Sequence, residues 1–292
     1  MHEEKKDYKP GIAIGTLNAD TTVSVTGSTF INCQAGDLGK YIYESDTDVT
    51  GYLNANKGNV TNKGKIIVNT TASDASALSE ALANGDNVVL TNNLKFSAKD
   101  TTANSGYGAT GVVVNGGVFD GNGKTLTVDD AWNTWDCAVN AKGGTIKNLT
   151  INSAMRGIFM GSATADVYID NVVIDGTVYT FNSDGGNKDY GVYISNSTLN
   201  GWTSFSDVHK EVVFTNCNFG EGGGYAFCRP YNVVTFKNCA FETGYVLDIS
   251  KTTGIVLDNC TIGGVTVTAD NINDLIGGEE NAHLVSGNVT IK

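Results

Sequence analysis

Proline, arginine and charged residues in general are scarce in this sequence, and their scarcity limits the kinds of fold and partner that are possible. The chain of 292 residues contains two prolines and two arginines, and 17% of its residues are charged, against about 25% in typical soluble domains. Few prolines suit a long hydrogen-bonded ladder, because proline lacks the N–H that a ladder uses. The formal net charge is −12. So acidic a chain, with so little arginine, is a poor candidate for binding nucleic acid or anionic membranes.

Apolar runs are also short. None approaches the length of a membrane span, so the sequence predicts no membrane-spanning segment. The opening residues, MHEEKKDYKPG, are polar and contain no apolar signal core. We therefore expect either that a signal has been removed from the protein or that it reaches its destination without one.

The main positive feature is a repeat. The pattern apolar–x–Asn–x–x–apolar occurs six times, with steps of 23, 25, 20, 22 and 21 residues between its starts. Alternate positions on both sides of the asparagine are apolar, which is the period of a strand with one buried face. The phase changes at the asparagine, so the chain is expected to bend there. The copies are IKNLTI (146–151), IDNVVI (169–174), ISNSTL (194–199), FTNCNF (214–219), FKNCAF (236–241) and LDNCTI (257–262).

A third apolar run follows in most repeats, for example GIFM at 157–160. Three short strands in each coil predict an all-β fold of three parallel sheets, in which equivalent side chains stack at the strand spacing of about 4.8 Å. Stacked amides can hydrogen-bond one another, so the sequence predicts a structural asparagine ladder on the inside of the bend. Its members are Asn148, Asn171, Asn196, Asn216, Asn238 and Asn259.

The coil pattern, the asparagine ladder and the lead-in GGVFDGNGKTLTV (116–128) resemble the pectate-lyase-type right-handed β-helix superfamily. The resemblance covers residues 112–292 and implies a right-handed coil. This superfamily mixes lyases, glycosidases, adhesins and phage spikes, so the resemblance does not fix a function.

The rest of the chain divides into three expected regions. Residues 1–20 read as an extended, polar anchoring arm, and residues 21–72 as a small β-rich N-terminal attachment region. Residues 73–111 are expected to hold a short capping helix, SDASALSEALANG (73–85), and one lead-in strand (87–97), since a solenoid needs its open end covered. At the other end, residues 271–281 are expected to form a turn or a short helix.

Residues that could carry chemistry do not form a recognisable site. Cys217, Cys239 and Cys260 each follow a ladder asparagine and are expected to stack as core residues, because free cysteine is among the most buried residue types. The spacing leaves disulfides open but lacks the pattern of a metal site. The three histidines are scattered, and neither Asp129–Asp130 nor the surroundings of the arginines match the catalytic motifs of the superfamily. We expect no catalytic residues, no metal and no cofactor.

Aromatic residues on coil turns are candidates for stacking against sugars, although packing is the more frequent role of such residues. These candidates are Trp132, Trp135, Trp202 and Tyr231.

Three functional classes remain open. The first is a non-enzymatic attachment protein on the surface of a bacteriophage particle (a head fibre, spike or decoration protein), since phage proteins are released by lysis without an export signal. The second is a bacterial surface or extracellular adhesin, and the third is a polysaccharide lyase or glycoside hydrolase. For the first class we expect a homo-oligomer, with a trimer favoured, joined to a capsid, a tail or another large assembly through the N-terminal region and contacting cell-surface glycans.

Overall fold

The computed structural model describes residues 23–31, 60–67, 69–96, 102–104, 108–128, 136–153, 155–161, 163–175, 178–185, 188–205, 209–220, 233–245, 254–275 and 289–292. These residues form an all-β protein, a parallel β-solenoid with two short helices. The predicted all-β parallel coil is therefore confirmed.

The N-terminal elements precede the regular coils. They are β1 (Val23–Ile31), β2 (Val60–Ile67), β3 (Asn69–Ala72), α1 (Ala75–Asn84), β4 (Asn87–Leu90), β5 (Leu94–Phe96) and β6 (Thr102–Asn104). β1 and β2 pair in parallel and belong to a different compact unit from the one that begins at Thr71. β1 and β2 fall within the predicted β-rich region at 21–72, whereas the arm at 1–20 lies outside the described residues.

The elements of the coils follow in order. They are β7 (Gly108–Val128), β8 (Cys137–Ser153), β9 (Arg156–Gly161), β10 (Val167–Asp175), β11 (Tyr179–Gly185), β12 (Val192–Ser195), β13 (Thr198–Asn200), β14 (Trp202–Phe205), β15 (Val212–Thr215), β16 (Asn218–Gly220), β17 (Val234–Lys237), β18 (Ala240–Phe241), β19 (Ile255–Asp258), β20 (Thr261–Ile262), β21 (Val265–Thr266), α2 (Ile272–Leu275) and β22 (Val289–Ile291).

Three parallel ladders connect the coils. The first ladder contains the strands before each asparagine, and its register runs without a shift from β10 through β12, β15, β17 and β19 to β22. The second ladder contains the strands after each asparagine (β13, β16, β18 and β20, with the later part of β10). The third ladder joins the start of β8 to β9, β11 and β14. The expected third strand at 157–160 thus exists as β9.

The apolar positions of the repeat point inward and form one continuous core. In the later coils, aromatic rings of the core stack on one another from coil to coil. Phe214 lies nearly parallel to Phe236 with ring centroids 5.1 Å apart, and Phe219 lies nearly parallel to Phe241 at 4.6 Å. Identical side chains in adjacent coils therefore pack face to face, as the fixed strand spacing requires.

The predicted capping helix is confirmed as α1. Asp74 is its N-cap, and the carboxylate accepts a hydrogen bond from the Ala77 N–H at 2.9 Å. Gly85 ends the helix in the left-handed conformation with φ of 83°. Leu78 and Leu82 are buried, and the helix packs on β7, so it covers apolar surface at the start of the coils.

The single lead-in strand predicted at 87–97 is wrong in one respect, because two strands occupy this segment. β4 and β5 each pair in parallel with β7, with Val88 opposite Phe119 and Leu94 opposite Leu126. Residues 91–93 separate the two strands, and the amide oxygen of Asn93 accepts from the Thr125 N–H at 3.0 Å. Both strands therefore add to the sheet through β7, although no residue of 91–93 has the positive φ of the later asparagine turns.

At the C-terminal end, the short helix expected within 271–281 is present as α2. β22 then returns to the first ladder and pairs with β19, with Leu257 opposite Ile291.

The asparagine turns form a hydrogen-bonded ladder, as predicted. The six ladder residues have φ between 51° and 54°, a left-handed conformation that asparagine tolerates better than most residues. Five of the inter-coil amide bonds are 2.8–3.2 Å long, in two runs: Asn171 donates to Asn148 and Asn148 to Asp120, while Asn259 donates to Asn238, Asn238 to Asn216 and Asn216 to Asn196. Asn196 breaks the column by donating to Asp170 at 2.7 Å.

The ladder lies on the outside of the bend, so the predicted internal position is wrong. Asn148 is half-buried, and the other five members are exposed. The left-handed turn directs the amide outward and the next side chain inward. The inner column therefore consists of the residues that follow the asparagines, all of them buried: Leu149, Val172, Ser197, Cys217, Cys239 and Cys260.

Candidate functional site

An exposed pair of tyrosines lies on the outer face of the first ladder. Tyr168 of β10 and Tyr193 of β12 are register partners. Each sits between two inward apolar residues, and strand alternation therefore points both rings outward. The rings are stacked, with centroids 5.1 Å apart and planes 15° from parallel. Tyr168 is 45% exposed.

Two carboxylates hold the tyrosine hydroxyls. The Tyr193 hydroxyl donates to Glu211 Oε1 at 2.6 Å, and the Tyr168 hydroxyl donates to Asp166 Oδ2 at 3.3 Å. The other oxygen of Asp166 accepts from the Gly191 N–H at 2.7 Å. We call Asp166, Tyr168, Tyr193 and Glu211 the tyrosine–carboxylate patch.

Glycine and ionisation both help to fix this patch. A Cβ at Gly191 would lie 2.5 Å from the Tyr193 hydroxyl oxygen, so the absence of a side chain there leaves room for the ring. The hydrogen bond to Glu211 raises the pKa of Tyr193 well above its usual value, and desolvation with the nearby Asp166 charge raises the pKa of Tyr168. Both phenols therefore stay neutral and act as donors to the carboxylates.

The patch was missed by the sequence analysis, although a signal for it exists. The tripeptide VYI occurs at 167–169 and again at 192–194, one coil later. An outward tyrosine at the same place in consecutive coils predicts a stacked pair.

The predicted sugar-stacking residues have a different setting. Trp202 begins β14, is half-buried, and packs edge-to-face on Tyr179 with centroids 5.4 Å apart. Trp132, Trp135 and Tyr231 lie outside the described residues.

A serine and a histidine that are far apart in sequence, and that no motif connects, lie side by side in the folded chain. Ser183 Oγ and His209 Nε2 lie 2.8 Å apart, across 26 positions of sequence. Both residues are buried, with relative exposures of 0% and 1%. A serine hydroxyl that no polymer can reach does not serve as a nucleophile in this arrangement, so the pair fits a polar contact within the structure.

The third ladder carries further buried polar groups. Asn140, Phe159 and Asn182 are register partners in adjacent strands, and all three are buried. The guanidinium of Arg156 lies 5.2 Å from the centroid of the Phe159 ring and 5.6 Å from that of Tyr179. Arg156 is only 2% exposed, so it packs on aromatic rings and does not face an extended acidic substrate.

The cysteine column also lies inside the coil. Cys217, Cys239 and Cys260 are free thiols with exposures of 0–2%, and each lies near backbone carbonyl oxygens. Contacts with the Cys217 and Cys260 thiols, together with burial, raise the pKa of Cys239 far above its usual value. The burial of all three thiols fits the packing role that the sequence predicts.

Among the described residues, no group of three or more His, Cys, Asp or Glu side chains is placed to hold a metal ion. Within those residues, no helix is long and apolar enough to cross a membrane.

The fold defines the class of this protein as a parallel β-solenoid. No family model, curated protein or solved structure matches the chain.

Proposed function

We propose that this protein is a non-enzymatic attachment protein on the surface of a bacteriophage particle, where its β-helix contacts glycans of the host cell. The observation that carries the proposal is the tyrosine–carboxylate patch on the outer face of the first ladder. It places aromatic rings and hydrogen-bond acceptors on adjacent, hydrogen-bonded strands, and such a preorganised surface binds at a lower entropic cost than a loop.

The buried groups support a role without catalysis. Ser183, His209 and Arg156 are of residue types that serve in catalysis, and all three are at most 2% exposed. A polysaccharide chain needs an open cleft in which such groups touch it. The outer surface of the coil is therefore the better place for contact with a polymer.

The resemblance of the sequence to a superfamily that includes phage spikes supports the virion assignment. The proposal includes a homo-oligomer, with a trimer favoured, held to the particle through the N-terminal region. A bacterial surface adhesin would use the same exposed coil, so only location separates the two functions.

The test determines where the protein is located and whether it cleaves polysaccharides. Gold-labelled antibody against the coil should decorate phage particles from the producing culture, in negatively stained images. Labelling confined to bacterial surfaces would replace the virion assignment with the adhesin.

The same protein is then incubated with an array of bacterial capsular and cell-wall polysaccharides. We expect retention of the protein on some of them without release of reducing or unsaturated ends. Steady release of either product would instead establish a lyase or a hydrolase.

A further inference from the structure

We infer that the tyrosine–carboxylate patch binds an uncharged sugar unit, a neutral hexose or an N-acetylhexosamine. This inference deepens the proposed function and depends on it. It identifies the contact site and the chemical class of the glycan.

One ring face of Tyr168 is available to a ligand. Tyr193 covers the opposite face at 5.1 Å. On the free side the register partner is Thr145, whose short side chain does not extend along the outer half of a tyrosine ring. Tyr168 accordingly keeps 45% of its surface exposed. The C–H face of a pyranose ring is apolar and flat enough to lie on such a ring, in the same way that aromatic faces bury other apolar surfaces.

Asp166 supplies the polar half of the site beside the exposed Tyr168 ring, whereas Glu211 lies one coil beyond Tyr193 and holds the hydroxyl of that residue. Ionised carboxylates only accept hydrogen bonds and have about four acceptor positions each. Glu211 Oε1 receives one bond from Tyr193, and the two oxygens of Asp166 receive one each from Tyr168 and Gly191. Acceptor capacity therefore remains on Asp166, beside the exposed ring, and sugar hydroxyls are the donors that match it.

The negative charge of the patch determines which ligands can bind there. The chain carries a net charge of −12, and two of its carboxylates lie within the patch. Uronates, phosphates and anionic lipid surfaces are repelled by such a field. A second copy joined through this face would bring the same carboxylates together across a two-fold axis, which is also unfavourable. An uncharged glycan avoids this repulsion and satisfies both the ring and the acceptors.

The experiment measures binding of short oligosaccharides to the full chain by calorimetry. The probes are N-acetylchitotetraose and maltotetraose as neutral sugars, with tetragalacturonate as the acidic comparison. We expect at least one neutral probe to bind and tetragalacturonate to bind more weakly. Replacing Tyr168 with Ala should weaken the binding of the neutral probe about tenfold, as the loss of one aromatic contact predicts.

Matched variants separate the ring from the scaffold. Tyr168→Phe keeps the ring and should retain most of the affinity, and Asp166→Asn should weaken binding by removing charge from the acceptor beside that ring. Val173→Ala serves as the control, because Val173 is 38% exposed but lies on the second ladder. Circular dichroism and melting of each variant show whether the coil is intact.

Three results would overturn the inference: no binding of either neutral probe, unchanged affinity in Tyr168→Ala, or preference for tetragalacturonate. Failure of the proposed function is a separate result. If the parent protein and Tyr168→Ala both attach to host cells, the attachment role stands and the patch is wrong. If the parent attaches to neither cells nor particles, the attachment role itself fails.

Discussion

Each asparagine in the turns acts on stability in two ways that can be separated. Its backbone adopts a left-handed conformation, with φ of 54° at Asn216, and its amide bonds to the coils on both sides. Because the side chain is exposed, water can replace the amide bonds when they are lost. The backbone term should therefore be the larger of the two.

Replacing Asn216 with Ala should lower the free energy of unfolding by about 1–2 kcal/mol, the cost of a left-handed conformation for a residue with a Cβ. Asn216→Gly should recover much of this loss, since glycine adopts that conformation without strain. Urea unfolding of both variants measures the difference. Equal losses in the two would show that the amide bonds dominate, and Asn238 provides a repeat of the comparison in the next coil.

Asp120 makes stability depend on pH at the start of the amide ladder. Burial alone would raise its pKa, but bonds from the Asn122 N–H at 2.9 Å, the Asn148 amide at 3.1 Å and Lys147 at 3.3 Å lower it overall. A lowered carboxyl pKa stabilises the folded state above the pKa of the unfolded chain, about 3.9, and this contribution is lost as the pH falls through the folded value.

We expect Asp120→Asn to be less stable than the parent at pH 7 by about 1 kcal/mol. The difference should begin to shrink below about pH 4, where the carboxyl of the unfolded chain becomes protonated, and should be smallest once the pH falls below the lower pKa of the folded state. Urea unfolding at pH 7 and pH 3 measures both values, with Asp258→Asn as a carboxylate control at the same strand position. A difference that does not change with pH would contradict the assignment.

At the scale of the element, the inner column of the turn tolerates different small side chains. Ser197 occupies the position that cysteines occupy in the next three coils, and its hydroxyl donates to the Ser195 carbonyl oxygen at 2.7 Å. Cys239 has the equivalent contact, from its thiol to the Lys237 carbonyl oxygen at 3.4 Å.

Cys239→Ser should therefore cost no more than about 1 kcal/mol, because the hydroxyl inherits an acceptor. Cys239→Asp should unfold the protein or destabilise it strongly, since a carboxylate would be enclosed without a cation. Thermal melting followed by circular dichroism distinguishes the two outcomes. A large loss in the serine variant would mean that thiol packing, rather than size and hydrogen bonding, determines this column.

At the scale of the whole molecule, the proposed attachment role makes residues 1–20 the anchor to the particle and the coils the surface that contacts the host. Deleting residues 1–20 should abolish incorporation into the parent particle. Melting of the coils should stay nearly unchanged, because α1 lies in the unit that begins at Thr71 and still packs on β7. Particle sedimentation followed by immunoblotting measures incorporation. Normal incorporation of the shortened chain would remove the anchor from the proposal and favour the adhesin.

Local properties explain why so much of the coil was predictable. Strand alternation, the phase change at each asparagine and the helix signals at Asp74 and Gly85 each depend on residues close in sequence. They predicted α1, the strands on either side of each turn and the hydrogen-bonded asparagine column. The division of 87–97 into β4 and β5 was missed because the NNL segment lacks the apolar pattern on both sides of one asparagine.

The side of the turn on which the asparagines lie was decided by the tertiary structure. Regular spacing is required equally by an internal and an external column, so periodicity does not distinguish them. The left-handed backbone at 51–54° distinguishes them, because it places the amide outward and the next residue in the core.

By itself, then, the sequence determined the period of the coil and the places where it turns, since both follow from neighbouring residues. Only the tertiary structure joined Glu211 to Tyr193 and Ser183 to His209, across 18 and 26 residues, whereas the repeated VYI signals the tyrosine pair. Those contacts depend on the register between coils, which is set by the length of every intervening turn. The candidate site belongs to this second group, because a surface patch exists only once adjacent coils are aligned.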